Sequence, residues 1–325
     1  MTSHAVSVII PVRSDPGVFQ AVDSVIRCAD EVAQLQVIVV DNASTPEFTA
    51  ELRRRLPGMV TLLSLADVGV YAARNRGIDA ADGEVVFFTD ADCIVLKGWL
   101  AAGLDGIASG ADIVQGYSGS VVDSPVAALI QRRYEAHLRR LQPGQPTECD
   151  TRNLAVRRRV FEALRFEERY RRVGDTAFGL RAEAAGIRVA YQPLMRVDHL
   201  HDDDLRVFAA KQVCHGWGAQ RLMQEHPQVE WHGGHLKAVS RLSKRFAPRA
   251  GTGLLAAACS RGAVLNAGLL QRCAGRIPGS LGFWWLTAVD KLAALGGHLS
   301  ARPGRPEPSP SGIHGRQLPR AYPAR

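Results

Sequence analysis

Residues 84–93 read EVVFFTDADC, and this stretch decides the fold because it joins a buried strand to two acids. The run from Val85 to Phe88 is apolar, yet Asp90 and Asp92 follow almost at once. In an extended segment, residues two apart project to the same side, so the two carboxylates converge. Two like charges that close repel each other unless a cation or a proton lies between them. The pattern indicates either a metal site at the end of a strand or an acidic, solvated loop.

Strand and helix patterns alternate on both sides of this stretch. The apolar, β-branched runs that predict strands are residues 6–12, 37–40, 60–65, 84–89 and 112–117. Helical stripes separate these runs, so we expect residues 5–120 to form repeated βα units. The predicted fold class is α/β, with a Rossmann-like, mostly parallel central sheet and flanking helices. Ligands bind beyond the carboxyl ends of the strands in such sheets, where Asp41, Asp90 and Asp92 fall.

The second half of the chain changes character. Its patterns predict a strand at 152–157, a helix at 174–185, a strand at 187–197 and a helix at 204–225. Gly216 and Gly218 weaken the last of these helices. Residues 252–270 and 277–299 are apolar and rich in small residues, which predicts a helical extension. The Pro- and Arg-rich tail, residues 302–325, is expected to be disordered.

Composition narrows the classes of partner. The chain has 325 residues and a net charge of +8, which suits a nucleotide diphosphate, a phospholipid surface or nucleic acid. Nucleic acid is not expected as a partner, because no aromatic interleaving or reading module accompanies the basic residues. The 6 cysteines form no C-x-x-C pair, and the N-terminus lacks the pattern of a secretory signal. We therefore expect a cytoplasmic location.

Two common phosphate-binding devices do not occur in the sequence. No G-x-G-x-x-G follows the first strand, and no G-x-x-x-x-G-K-[ST] is found. These absences disfavour a dehydrogenase and a P-loop enzyme. A divalent cation on Asp90 and Asp92 would hold phosphates instead, since magnesium and manganese favour carboxylate and phosphate oxygens.

At this point a family resemblance becomes clear. The chain resembles a family 2 glycosyltransferase of the GT-A fold over roughly residues 5–225, with its motifs in order and at family spacing. The matching segments are SVIIPVR at 7–13, VVDNAS at 39–44, GVYAARNRG at 69–77, FFTDADC at 87–93, RNLAVRRRVFEAL at 152–164, RFEERY at 165–170, GDTAFGLRAEAAG at 174–186 and VDHLH at 197–201. On this resemblance the chain is predicted to comprise a GT-A domain (1–230), a helical C-terminal extension (231–301) and the tail (302–325).

The resemblance implies a set of residues that bind the nucleotide-sugar donor. They are Pro11, Val12, Arg13, Asp41, Arg74, Asn75, Asp90 and Asn153. Asp41 would hydrogen-bond the base, although Asp-Asn-Ala-Ser is also good chemistry for a strand-end turn. Arg74 and Asn75 would lie near the donor, and the alternative is an exposed helical pair.

The resemblance also implies a divalent metal, Mn²⁺ or Mg²⁺, on Asp90 and Asp92, with Asp92 as the likelier direct ligand. His199 would give a third ligand or touch the diphosphate, and His201 is placed similarly. The alternative for each histidine is a polar residue that is satisfied by ordinary hydrogen bonds.

Asp175 is the implied catalytic base, which takes a proton from the acceptor hydroxyl. The family usually has Glu-Asp at this point, whereas this chain has Gly174-Asp175, so the first acid is missing. The alternative for Asp175 is a helix N-cap, and the two roles are compatible.

The resemblance thus implies a metal-dependent, inverting glycosyltransferase. The acceptor would be a hydroxyl on a glycan, glycolipid or polysaccharide precursor, including a lipid-linked one, in cell envelope polysaccharide biosynthesis. Two alternatives stay open: a catalytically inactive sugar-nucleotide-binding protein, which the missing acid at Gly174 allows, and a nucleotidyltransferase on a similar sheet.

The C-terminal segment allows two interpretations. Neither 252–270 nor 277–289 is a convincing transmembrane helix. Trp284 and Trp285 follow Phe283 with basic flanks, which suits a helix lying in the membrane interface. The alternative is a helical pair that packs on the catalytic domain. The first interpretation would place the protein at the inner face of the cell membrane as a peripheral partner.

Overall fold

The computed structural model describes residues 2–121, 125–138, 149–200, 205–226, 252–273 and 279–301. These residues fall into two compact units. Unit 1 contains the described residues up to 121 together with 149–200. Unit 2 contains residues 125–138 and the described residues from 205 onward. The chain therefore enters unit 2, returns to unit 1, and enters unit 2 again.

Unit 1 is built on a sheet of 8 strands in the order β3-β2-β1-β4-β7-β6-β8-β5. The strands are β1 (Thr2–Val12), β2 (Val32–Asn42), β3 (Val60–Leu65), β4 (Val85–Thr89), β5 (Cys93–Val95), β6 (Ile113–Ser120), β7 (Asn153–Arg157) and β8 (Val189–His199). β1, β2, β3 and β4 pair in parallel, as do β6 and β8. β7 lies antiparallel between β4 and β6, and β5 pairs antiparallel with β8.

Helices cover this sheet and connect its strands. In unit 1 they are α1 (Gly17–Ile26), α2 (Pro46–Arg55), α3 (Val70–Asp79), α4 (Trp99–Ala108), α6 (Val160–Ala163) and α7 (Gly174–Ala184). The Thr45 hydroxyl caps α2 by accepting a hydrogen bond from the Phe48 backbone. The end predicted for α7 is confirmed, since Gly186 has a φ of 69°.

The α/β prediction with a mostly parallel sheet is confirmed. β1 and β4 are almost completely buried because helices cover both faces of a parallel sheet. The expected parallel arrangement holds for β1 to β4, whereas β7 and β5 run antiparallel to their neighbours. Sequence patterns fix which segments are strands, but strand direction depends on connections that the pattern does not encode.

Unit 2 is helical. Its helices are α5 (Pro125–Leu138), α8 (Leu205–Glu225), α9 (Thr252–Cys273) and α10 (Gly279–Ser300). Phe208 and Val213 of α8 share a buried apolar cluster with Leu286 and Val289 of α10. The domain prediction had grouped residues 205–225 with the first domain, whereas in the structure α8 packs with the C-terminal helices. The apolar face of α8 accounts for this difference.

Two glycines allow the helices of unit 2 to approach closely. A Cβ on Gly297 of α10 would lie 1.8 Å from the carbonyl oxygen of Val213 in α8. A Cβ on Gly216 of α8 would lie 2.0 Å from the carbonyl oxygen of Ala294 in α10. Gly216, which weakens the helix pattern in the sequence, is therefore needed for packing. None of the described helices combines the length and apolar character required to cross a lipid bilayer.

Candidate active site

The acidic pair lies where the sequence predicts, immediately after the buried strand β4. Asp90 and Asp92 follow Thr89, the last residue of the strand, and the chain then enters the short strand β5. β5 pairs with β8 so that Cys93 stands opposite His199. The backbone N–H of Leu200 also donates to the Asp92 carbonyl, at 2.9 Å. This pairing brings together residues that are far apart in the sequence.

Asp92 and His199 are in direct contact as a result. The Nε2 atom of His199 lies 3.2 Å from Oδ1 of Asp92. On the other side of the ring, Nη1 of Arg152 lies 3.2 Å from Nδ1. Because a guanidinium can only donate hydrogen bonds, Nδ1 accepts in the tautomer that carries the ring hydrogen on Nε2, and a cation bound through Nε2 would require that hydrogen to leave Nε2.

Arg152 is itself held by a second carboxylate. Its Nε atom donates to Oδ1 and Oδ2 of Asp150 at 3.0 and 2.9 Å, and its Nη2 atom also donates to Oδ2. Burial alone would raise the pKa of Asp150, but the Arg152 guanidinium holds that pKa below its ordinary value. Asp150 is therefore an ionised anchor that keeps Arg152 against His199.

Asp90 is held by a buried cation. Nη2 of Arg74 donates to Oδ1 of Asp90 at 2.6 Å, and Arg74 is only 3% exposed. Burial raises the pKa of Asp90, and the negative charges of Asp92 and Asp150 act in the same direction against Arg74. Several carboxylates thus share one buried region, where a further positive charge would be stabilised.

The donor set at this position fits a divalent cation. Ligand atoms of Asp92, Cys93 and His199 all lie within 4.8 Å of one another. Burial and the neighbouring Asp92 and Asp90 raise the pKa of the Cys93 thiol well above its ordinary value. Asp92 and His199 supply a carboxylate and an imidazole, and Mn²⁺ accepts that mixture of oxygen and nitrogen.

Asp175 lies in the first turn of helix α7, directly after Gly174, and the N-cap position is Val173. Its Oδ1 atom accepts hydrogen bonds from the Tyr71 hydroxyl at 3.1 Å and from the Thr176 backbone at 2.9 Å. The preceding residue, Val173, has a φ of 56°, in the left-handed region that a β-branched residue rarely adopts. Such a conformation costs about 1–3 kcal/mol and occurs most often at functional sites. The Asp175 carboxylate is therefore held in one orientation at a strained helix start.

Helix α3 connects Asp175 to the acidic pair. Tyr71 and Arg74 are three residues apart in α3, and so lie on the same side of the helix. Tyr71 bonds Asp175, whereas Arg74 bonds Asp90. One helical turn thus fixes both the predicted base and the predicted metal-binding segment.

The predicted nucleotide residues at the first two strands lie at their carboxyl ends. Pro11 and Val12 end β1 and are buried, whereas Arg13 is exposed and pairs with Asp67 at 3.0 Å. Asp41 is 2% exposed. Its Oδ1 accepts from the Ser44 backbone at 3.0 Å, and its Oδ2 accepts from the Thr49 hydroxyl at 2.6 Å. These contacts agree with the turn interpretation of Asp41, and a contact with a base stays a prediction.

Two of the predicted donor-binding residues have internal partners instead. The Asn75 amide binds the backbone N–H and C=O of Phe166, and it also donates to Glu168. Asn153 is 0% exposed. Its side chain accepts from Trp99 Nε1 and donates to two backbone carbonyls, each at 2.8 Å. Asn153 stands opposite Thr89, the residue before Asp90, and its contact with a donor stays a prediction.

Sequence reasoning missed three residues of this region. Tyr71 lies within GVYAARNRG, and its helical spacing to Arg74 could have indicated a shared face. Asp150 and Arg152 gave no such signal, since their contact with His199 depends on the strand pairing. His201, the second predicted histidine, lies outside the described residues.

Comparison with known proteins gives the class of the molecule. Residues 7–165 match the model of glycosyl transferase family 2. Glycosyltransferase AglE of Haloferax volcanii is 33% identical over 116 residues, which make up 34% of this chain and 38% of that protein. The pre-mycofactocin glycosyltransferase of Mycobacterium tuberculosis is 29% identical over 238 residues, or 68% of this chain and 48% of that protein. The chain thus spans less than half the length of these relatives.

A solved structure shares the fold. The mannosyltransferase PcManGT from Pyrobaculum calidifontis, in complex with GDP-Man and Mn²⁺, aligns with a TM-score of 0.59 at 19% identity. The alignment covers 92% of this chain and 88% of that chain. The fold is therefore of the GT-A type, and the family match over residues 7–165 together with these relatives supports a family 2 glycosyltransferase.

Proposed function

We propose that the protein is a metal-dependent, inverting glycosyltransferase that moves a sugar from a nucleotide diphosphate to a hydroxyl acceptor. The observation that carries the proposal is the arrangement around helix α3. Through Tyr71 and Arg74 this helix holds Asp175 and Asp90, while Asp92 contacts His199 across β5 and β8. Helix α3 thus holds both Asp175, which is suited to take a proton, and Asp90, which belongs to the cluster suited to bind a cation.

Asp175 acts on the acceptor in this proposal. As the acceptor oxygen forms its bond to the anomeric carbon, the bond from that carbon to the diphosphate breaks and its electron pair leaves with the diphosphate. The acceptor proton passes to a carboxylate oxygen of Asp175. A single in-line displacement of this kind inverts the configuration at the anomeric carbon.

The donor is bound at the carboxyl ends of β1, β2 and β4 in this proposal. Asp92, Asp90 and His199 would hold Mn²⁺ or Mg²⁺, with Arg74 orienting Asp90. A divalent cation there would supply positive charge that stabilises the leaving diphosphate. The GDP-Man and Mn²⁺ bound to the structurally similar mannosyltransferase support a nucleotide-sugar donor and a divalent metal.

A panel of donors tests this function. The purified protein is incubated with UDP-, GDP- and dTDP-sugars, with Mn²⁺, with Mg²⁺ and with a chelator, and release of the nucleoside diphosphate is measured. We expect one donor to be turned over only in the presence of metal, and a product with inverted anomeric configuration. Metal-dependent donor binding without turnover would favour the inactive binding protein, and turnover in the chelator would contradict the metal proposal.

Contact with a membrane surface is a further part of the proposal, and α10 supports it. Leu281, Trp284, Ala288 and Lys291 form an exposed stripe on this helix, and Trp284 is 70% exposed. An exposed Trp next to a Leu, followed one or two turns later by a Lys, is typical of a helix that lies in the interface of an anionic bilayer. A lipid-linked acceptor would be found at such a surface.

A further inference from the structure

The residue before the predicted base has an unusual neighbour. Gly174 is buried, and a Cβ built on it would lie 2.5 Å from Cε2 of the Tyr71 ring. Real Cβ atoms do not approach ring carbons so closely, so any side chain at position 174 would have to displace Tyr71. The position where the family pattern has an acid is thus filled by the ring of a residue from α3.

Tyr71 is fixed in this place by further contacts. Its ring stacks on Phe166 with the centroids 5.9 Å apart, and the Arg74 guanidinium carbon lies 5.5 Å from its centroid. Tyr71 is buried, and its hydroxyl donates to Oδ1 of Asp175 at 3.1 Å. Burial, and next the charge of Asp175, raise the pKa of Tyr71 well above its ordinary value, so the phenol keeps its proton. It can therefore only donate to the ionised Asp175 carboxylate.

We propose that Tyr71 is a positioning residue for Asp175, and that Gly174 is required because only glycine lets the Tyr71 ring reach that carboxylate. The inference rests on the proposed role of Asp175 as the base. A single hydrogen bond from Tyr71 orients the carboxylate toward the acceptor, in the place where a second acid is absent. Gly174 in place of an acid then means that Tyr71 positions Asp175 instead, so the protein keeps its activity.

Kinetics of single variants give the first test. Tyr71→Phe keeps the ring and removes the hydroxyl, and loss of a hydrogen bond to a charged group should lower kcat about 10- to 100-fold. The KM for the donor should stay within about threefold, because the contact lies on the acceptor side. Tyr191→Phe, at an exposed position of β8, is the matched control and should leave kcat unchanged.

Substitution at the glycine gives the second test. Gly174→Ala should lower kcat at least as much as Tyr71→Phe, since its Cβ displaces the ring. Gly58→Ala is the control, because a Cβ there would meet nothing within 4 Å. If Gly174→Ala or Tyr71→Phe turns over at the wild-type rate, the inference is wrong.

A double-mutant cycle separates this inference from the proposed function. In the Asp175→Asn background, Tyr71→Phe should reduce kcat by less than about threefold further, because the residue that it positions is gone. Equal losses in both backgrounds would show that Tyr71 acts on the fold alone. If Asp175→Asn keeps wild-type turnover, the base assignment fails instead.

The same double-mutant cycle can be measured as melting temperatures, and this version does not require an active enzyme. Non-additive shifts for Tyr71→Phe and Asp175→Asn establish the contact, whereas additive shifts contradict it.

Discussion

Substitution of Asp175 can separate donor binding from the chemical step. Asp175→Asn keeps the shape of the side chain and its ability to accept the Thr176 hydrogen bond, but removes the proton acceptor. We expect turnover to fall about 10²–10⁴-fold, while donor affinity hardly changes. Steady-state kinetics and donor calorimetry on the same variant provide the measurement. Near-normal turnover would mean that Asp175 is only a helix cap.

Asp92 tests the metal site independently of turnover. Asp92→Asn removes the charge that faces His199 at 3.2 Å, and a cation loses its strongest ligand there. We expect manganese-dependent donor binding to disappear in calorimetry, with the circular dichroism spectrum unchanged. Asp105→Asn, at an exposed position of α4, should bind as the wild type does. Unchanged donor affinity in Asp92→Asn would remove the metal assignment.

His298 in α10 makes unit 2 sensitive to acid. The residue is 3% exposed, and neither ring nitrogen has a hydrogen-bond partner among the described residues. Burial lowers its pKa from 6.5 to about 4, so the unfolded chain binds the proton more readily than the folded one. The resulting stability is present above pH 6.5 and is lost as the pH falls toward 4.

A hydrophobic substitution should remove this dependence. Between pH 7 and pH 5 the contribution of His298 to the free energy of unfolding falls by about 2 kcal/mol. Urea unfolding of the wild type and of His298→Leu at both pH values measures the difference between their pH dependences. Equal pH dependences in the two proteins would mean that His298 is not buried in a neutral form.

Several residues of the candidate site could be predicted from the sequence, because the signals that identify them come from neighbouring residues. EVVFFTDADC predicts both a buried strand and the two acids at its end, because strand burial and the alternation of side chains are properties of neighbouring residues. The partners of these acids could be predicted only from the family resemblance, which placed Arg74 and His199 near them. Arg152, which contacts His199, depends on a strand pairing that no short pattern describes.

At the scale of elements, the same limit explains the missed strand. The motif does not show that β7 is inserted between β4 and β6, which buries Asn153 beside Thr89. β5 comprises only Cys93–Val95, which is too short for a periodicity to identify it. By contrast, β3 spans the residues that the pattern predicts, because its apolar run extends over several residues.

The packing of α10 on α8 can be tested with two glycines of the same helix. Gly297→Ala should lower the free energy of unfolding by about 1–3 kcal/mol, because its Cβ would lie 1.8 Å from a backbone oxygen of α8. Gly282→Ala meets nothing within 4 Å. It should instead raise the free energy of unfolding by up to about 1 kcal/mol through helix propensity. Chemical denaturation of both variants measures these changes in the free energy of unfolding. If both variants change it in the same direction, the close approach of the helices is contradicted.

At the scale of the whole molecule, the proposed membrane contact calls for point variants rather than a truncation. Removal of α9 and α10 would strip α8 of the helices that bury Phe208 and Val213. Trp284→Ser leaves that packing in place, because Trp284 is exposed. We expect the wild type to bind anionic vesicles, and to lose most of that binding at high salt.

Sedimentation with vesicles of anionic and of neutral lipid is the measurement. Trp284→Ser should bind several-fold more weakly than the wild type, whereas Met59→Ser, at an exposed position of unit 1, should bind equally well. Undiminished binding of Trp284→Ser would show that α10 is not the contact.

The return of the chain to unit 1 between α5 and α8 has a consequence for synthesis. A ribosome produces the N-terminal residues first, so the strands of unit 1 are complete once His199 has emerged. Helix α5 is then already outside and α8 emerges next, while α9 and α10 have not been translated. Until they are, Phe208 and Val213 lack the apolar partners that cover them in the folded protein. The nascent chain therefore exposes the apolar face of α8 after the strands of unit 1 are complete, and exposed apolar surface of this kind is what chaperones bind during synthesis.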